Sequence, residues 1–256
     1  MSGIHQSAQA GFGSEAKTYA QGRPEYPAEL LPWLGERLGL GPGTRVIDLG
    51  AGTGKFTRLL TSTGAQVTAI EPVDAMRAEL QARLPQVQAL PGTAEAIPLP
   101  SGSAEVLVCA QAFHWFAHAP ALAEIHRVLE PGGRLGLVWN VRDESVDWVA
   151  QITRIITPHE GDTPRFHTGD WRKPFDGRYF SPLQASHFSY RHVGPPQVVI
   201  IDRFLSVSFI AALPPARKAE VAAQLQALID THPALKGRER IEVPYRTEAY
   251  HCTRLA

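Results

Sequence analysis

An acid and three glycines at fixed spacing carry the strongest chemical signal in the sequence. They lie in Arg45-Val46-Ile47-Asp48-Leu49-Gly50-Ala51-Gly52-Thr53-Gly54-Lys55-Phe56-Thr57, a short apolar run that breaks into glycines at every second position. Glycine lets the chain adopt positive φ and lets a ligand lie against bare backbone, so the stretch reads as a loop for a nucleotide-like ligand. A phosphate-binding P-loop requires a glycine where Leu49 stands and a Ser or Thr where Phe56 stands. A dinucleotide fingerprint requires its third glycine where Lys55 stands.

Further candidates follow along the chain. Glu71 lies about twenty residues past Gly50, at the end of the next apolar run, where an acid can accept both hydroxyls of a ribose. His114, in Gln111-Ala112-Phe113-His114-Trp115-Phe116, is a proton acceptor suited to neutral pH. It reads equally as an aromatic-cluster histidine that lines a cleft. His114, His118, Glu124 and His126 lack the further ligand that would complete a recognisable metal pattern, so no metal is expected. Arg142, Arg165, Arg172 and Lys173, several beside aromatics such as Phe166 and Trp171, fit as a group the recognition of an acidic small substrate.

These residues need a scaffold that brings them together, and hydrophobic periodicity supplies one. Leu30, Leu31, Leu34 and Leu38 repeat at helical spacing ahead of the glycine loop. Strands are expected at 45–49, 66–70, 87–90, 105–110 and 134–139, with helices carrying Phe56, Leu59 and Leu60, then 75–84, then 120–129. Strands alternating with helices mean a doubly wound parallel sheet with ligands at the carboxyl ends of its strands. The glycine loop, Glu71, Glu95, Gln111 and Asn140 all fall at such ends. Beyond Asn140 the sequence predicts a helix at 147–156, an irregular stretch at 157–182, a strand at 186–193, helices at 198–213 and 216–229, and a last strand at 241–255.

Composition narrows the function. Lys plus Arg equal Asp plus Glu at 25 each, so no overall positive field speaks for a nucleic acid. No apolar run is long enough to span a membrane, since even 198–213 is interrupted by Asp202 and Arg203. The N-terminal stretch lacks a basic segment followed by an apolar one, and Cys109 and Cys252 lie apart in strand-like runs as inert core residues. The expectation is a cytoplasmic protein with a small-molecule partner and no membrane partner; its oligomeric state is not legible.

The glycine loop resembles motif I of the class I S-adenosylmethionine-dependent methyltransferases, D-x-G-x-G-x-G. The stretches Ala110–Phe116 and Leu137–Ser145, with the turn Pro131-Gly132-Gly133, resemble a subgroup that acts on small molecules and includes trans-aconitate methyltransferases. The resemblance implies an α/β fold: a Rossmann-like, doubly wound seven-stranded sheet whose last strand is antiparallel, with an N-terminal lid and a helical cap insertion. One domain would then comprise a lid and lead-in helix (1–40), a cofactor-binding core (41–145), cap segments (146–182 and 194–240) and final strands (183–193 and 241–256). S-adenosylmethionine is the implied cofactor. Tyr19, Arg23, Asp48, Gly50, Ala51, Gly52, Gly54, Glu71, Pro72, Thr93, Ala94, Glu95 and Gln111 are its implied contacts. Asp48 would act directly or by orienting loop amides. Thr93 departs from the family's acid at the adenine position, so Thr93 or Glu95 takes that hydrogen bond. His114, Trp115, Asn140, Arg142 and Trp171 are the implied substrate residues, with His114 as the catalytic base. The expected reaction is methyl transfer to a carboxylate or hydroxyl of a small molecule; the alternative is a non-catalytic, S-adenosylmethionine-binding regulator.

Overall fold

A computed structural model describes residues 23–256. Tyr19 and the helix expected at 14–21 lie outside the described residues. Seven strands form one sheet: β1 (Arg45–Leu49), β2 (Gln66–Ile70), β3 (Gln88–Leu90), β4 (Ala104–Ala110), β5 (Leu129–Arg142), β6 (Gln184–Gly194) and β7 (Ile241–Thr253). Their order is β3-β2-β1-β4-β5-β7-β6. The pairs β1–β2, β1–β4, β2–β3 and β4–β5 are parallel. β7 runs against β5: Arg254 N–H donates to Gly133 O, and Asp143 N–H donates to Pro244 O, so one strand descends as the other rises. The order turns back on itself between β1 and β4, which in such sheets is where a ligand crevice opens.

The chain forms two compact units. The sheet unit comprises Tyr26–Trp139, Pro164–Phe188 and Thr247–Ala256. Helices α1 (Leu30–Leu38), α2 (Lys55–Thr61), α3 (Asp74–Arg83) and α4 (Ala119–Val128) belong to it. β1 and β4 are buried along almost their whole length, the pattern of central strands covered on both faces. Leu30, Trp33, Leu34 and Leu38 of α1 pack with Phe56 and Leu60 of α2 on Val46, Val106, Val108 and Val138. Leu31, expected inward, is exposed and Trp33 takes its place, because the buried stripe follows the steps of three and four residues that one helix face allows. α3 packs Leu80 on Ala69 and Val87.

The helical unit comprises, among the described residues, 23–25, Asn140–Thr163 and Ser189–Arg246. Its helices α5 (Asp147–Ile156) and α6 (Pro215–Thr231) pack Val149, Ile152, Val221 and Leu225 around Phe204 and Val243. The helix expected at 198–213 is broken. A π-helical stretch, Gln197–Asp202, leads into short turns at Arg203–Leu205 and Ser208–Ala211. The run Val198-Val199-Ile200-Ile201 explains why: β-branched side chains are stiff and crowd an α-helical turn.

The first long segment of the sheet unit runs to Trp139, and 164–182 belongs to the same unit. The α1 register is checked by urea denaturation. Leu34→Ala is expected to cost about 2–5 kcal/mol as a fully buried truncation, whereas Leu31→Ala should stay within about 0.5 kcal/mol. Equal losses would contradict the packing of α1.

Candidate cofactor and acceptor site

The glycine loop joins β1 to α2 at the carboxyl edge of the sheet. Its amides at Gly50 and Ala51 both donate to Ile70 O, at 2.9 and 3.1 Å, tying the loop to β2. Gly50, Gly52 and Gly54 all have positive φ, of 73°, 58° and 84°. A Cβ on Gly50 would lie 2.7 Å from Ala112 Cβ, whereas one on Gly52 would meet nothing nearer than Met76 Sδ at 4.0 Å. Gly50 is therefore required by the protein's own packing. The backbone at Gly52 borders open space, which is what a ligand seated on the loop needs.

Glu71 closes the loop from the end of β2. It is 4 % exposed, and its two oxygens each accept a backbone hydrogen bond, Oε2 from Gly52 N–H and Oε1 from Val73 N–H, both at 2.8 Å. Burial pushes its carboxyl above the ordinary range; the Val73 and Gly52 amides and the Arg77 guanidinium oppose that shift. A carboxylate accepts about four hydrogen bonds, so two acceptor positions remain for hydroxyls of a ligand. Asp48 is fully buried: Oδ2 accepts from Thr57 Oγ1 at 2.6 Å, and Oδ1 has no partner. Burial pushes its pKa up to about 7, with the Thr57 hydrogen bond opposing and the charge of Glu71 adding. Asp48 thus links β1 to the first turn of α2 through the Thr57 hydroxyl.

The third contributor is β4. Gln111 follows it with φ of 59°, held by its N–H to Val138 O at 2.8 Å. Left-handed backbone at a non-glycine residue costs roughly 1–2 kcal/mol and persists where surrounding structure enforces it. Phe113–Trp115 form a 3₁₀ turn directly after it. Trp139 Nε1–H donates to His114 Nδ1 at 3.1 Å. Neutral imidazole has one donor and one acceptor nitrogen; with Nδ1 accepting, Nε2 carries the proton. His114 in this arrangement presents a donor and has no lone pair with which to act as a base.

The adenine-position segment is held from α4. Ala94 is buried, and Glu95 Oε1 pairs with His118 Nε2 at 2.8 Å, while His118 Nδ1 accepts the Ala121 amide and caps α4. Ile97 N–H donates to Glu124 Oε1, and His126 Nε2 lies 3.0 Å from Leu255 O, so His114, His118 and His126 each have their own local partners. Among the described residues no group of three or more His, Cys, Asp or Glu is placed to hold a metal. Both cysteines are buried and unpaired, their thiols raised by burial, Cys252 to about 12.

Several residues expected to meet the ligands also make contacts within the fold. Trp171 is 1 % exposed, with ring centroids 4.6 Å from Trp139 and 5.7 Å from Phe166. It is part of an aromatic cluster within the sheet unit. Arg172 lies over Trp171 at 4.2 Å and donates to Tyr250 Oη, which donates to buried Glu248; Lys173 pairs with Asp170. In the helical unit Asn140 Nδ2–H donates to Glu25 O at 2.9 Å and Arg23 Nη2–H to Ser206 O at 3.4 Å. Arg142 Nε–H donates to Thr153 Oγ1. Sequence reasoning did not find the indole donor to His114; Trp139 at the end of an apolar strand reads as core, and only the fold brings it to His114.

The comparisons agree with this geometry. The family described as a methyltransferase domain matches residues 47–137. An uncharacterized methyltransferase of Mycobacterium tuberculosis is 39% identical over 94% of this chain and 95% of its own length. An uncharacterized methyltransferase-like protein of Schizosaccharomyces pombe is 35% identical over 93% of each. The solved structure of a putative type II methyltransferase from Anaeromyxobacter dehalogenans is 25% identical, with a TM-score of 0.59 over 91% of this chain and 96% of that one. The chain belongs to the class I methyltransferases and is an S-adenosylmethionine-dependent methyltransferase. The residues present fit that cofactor: open backbone at Gly52, a strand-end acid with acceptor capacity to spare, and a loop fixed from beneath.

Two outcomes test the loop. Gly50→Ala should destabilise more than Gly52→Ala in thermal unfolding, because the latter adds backbone strain of about 1–2 kcal/mol without a clash. Asp48→Asn should flatten the pH dependence of stability. With its pKa raised above that of the unfolded chain, Asp48 favours the folded state below about pH 4, and that contribution is lost as pH rises to about 7. The wild type should lose on the order of 2 kcal/mol more than Asp48→Asn between pH 5 and 8, measured by urea denaturation. Parallel profiles would refute a buried, protonated Asp48.

Proposed function

We propose that this methyltransferase modifies an oxygen of a small-molecule acid, forming a methyl ester. The observation that carries this reading is the hydrogen bond from Trp139 Nε1–H to His114 Nδ1. It engages His114 Nδ1 with a donor, which makes that nitrogen unsuited to taking a proton from an acceptor. An alcohol or phenol must lose a proton during transfer, whereas a carboxylate enters already ionised. The balanced charge of the chain, 25 basic against 25 acidic residues, supports a small acceptor over a polyanion.

When bound, S-adenosylmethionine supplies a methyl group already activated on a sulfonium. The roles left to the protein are positional. Gly52 offers bare backbone, Gly50, Ala51 and Gly54 shape the loop around it, and Glu71 with Pro72 fixes the ribose end. Thr93, Ala94 and Glu95 border the base, and Gln111 faces the reacting end. Tyr19 and Arg23 are assigned to the cofactor in this reading, and Trp115, Asn140 and Arg142 to the acceptor. Orientation of acceptor and methyl group is then the main source of rate.

The test is to incubate the enzyme with methyl-labelled S-adenosylmethionine and separate panels of carboxylic acids and phenols, then treat the products with alkali. Release of labelled methanol marks an ester; an alkali-stable label marks an ether and overturns the reading. His114→Asn should lower kcat less than tenfold, because removing a general base costs about 100- to 10,000-fold.

A further inference from the structure

The helical unit contains a buried positive site that neither the cofactor nor the loop chemistry uses. Arg203, first residue of the turn after the π-helical stretch, is 6 % exposed, and its Nε and Nη1 have no hydrogen-bond partner. Its guanidinium lies 5.3 Å from the centre of the Phe204 ring, and that of Arg142 lies 5.4 Å from the same ring. Tyr245 on β7 is 3 % exposed, and its hydroxyl is buried without a partner. Burial holds the Arg142 guanidinium below its ordinary pKa, Tyr245 opposes that shift, and the charge of Arg203 adds to it.

Buried cations in proteins are normally paired, because an uncompensated charge out of water is costly. Here two guanidinium groups share one aromatic ring, and the carboxylates that act on Arg142 serve them only in part. Glu144 Oε1 lies 3.8 Å from Arg142 Nη2 on a half-exposed side chain, and Glu160 acts on Arg142 more weakly. Arg203 has no ion pair among the described residues. Unused N–H and O–H donors beside positive charge call for an oxyanion. Glu144 and Glu160 act on Arg142, so the charge left to answer is that of Arg203, which a monoanionic carboxylate matches, whereas a phosphate dianion would bring a further negative charge beside Glu144.

We propose that Arg203, Arg142 and Tyr245 form a carboxylate-binding site, in which Arg203 supplies the ion pair and Tyr245 a hydrogen bond to an anionic small molecule. A carboxylate held this way has its lone pairs engaged and serves as an anchor rather than as the methylated group. That the anchored molecule is the methyl acceptor rests on the function proposed above; the binding itself does not.

The test titrates the full-length protein with succinate, with acetate and with inorganic phosphate, at ionic strength held constant with chloride. It follows the thermal midpoint in wild type, Arg203→Met and Tyr245→Phe, and measures S-adenosylmethionine binding by calorimetry in each. Succinate and acetate should raise the wild-type midpoint saturably, and more than phosphate does. Arg203→Met should lose this response and, without ligand, melt no lower than wild type, since it removes a buried charge that has no partner. Tyr245→Phe should fold normally and bind carboxylate roughly two- to tenfold more weakly. A wild type indifferent to carboxylates, an undiminished response in Arg203→Met, or a lower unliganded midpoint in that variant overturns the proposal. A stronger response to phosphate overturns the assignment to carboxylate. If Arg203→Met does not fold, Tyr245→Phe decides, and unchanged affinity there refutes the site. Retained cofactor binding beside absent carboxylate binding rejects this site and leaves methyl transfer standing; the reverse result rejects the cofactor assignment and leaves the site.

Discussion

The bond on which the site depends is the clasp between Glu71 and the glycine loop. One carboxylate holds two amides, one from the loop after β1 and one from the turn after β2, and so fixes the two strand ends to each other. The loop has no side chains with which to brace itself, and glycine is entropically the costliest residue to order. External tethers are therefore needed, and the Glu71 carboxylate and Ile70 carbonyl supply them. Below the loop, Asp48 and Thr57 link β1 to the first turn of α2. Burial raises the proton affinity of both acids, and the charge of Glu71 raises that of Asp48 further. The loop is thus held by groups whose ionisation burial makes costly.

The aromatic cluster in the sheet unit does a different job. Trp139, Phe166, Trp171 and Tyr250 pack ring on ring, and Arg172 is drawn in over Trp171 and fixed to Tyr250. A long segment with little regular structure, 164–182, is anchored to the sheet by these contacts. Trp139 also turns its indole N–H toward His114, so a residue that stabilises the fold sets the tautomer of a residue in the site.

Much of this was legible in the sequence. Apolar runs of about five residues separated by amphipathic segments gave β1 to β5 and α1 to α5 within a few residues, because those elements bury a face that the pattern displays. The glycine register and the acid at Glu71 marked the cofactor loop for a local reason: both lie within one β-α-β unit. What escaped was long-range. Whether Arg172 is a ligand or a packing residue depends on Tyr250, and whether His114 is a base or a donor depends on Trp139; neither pairing leaves a trace in spacing. The broken helix at 197–205 was missed because four successive β-branched residues look apolar and helical to a periodicity test, while their crowding widens the turn.

That widened turn bears on how such a protein changes over generations. A π-helical stretch holds one residue more than an α-helical path of the same course. Loss of a single residue within Gln197–Asp202 would let the stretch wind as an α-helix along the same course and leave Arg203 in its place. Most one-residue deletions in a packed helix wreck its buried stripe; here the surplus residue is already present as slack. The helical unit thus contains a point at which one codon can be lost while a buried arginine and the core around it keep their places.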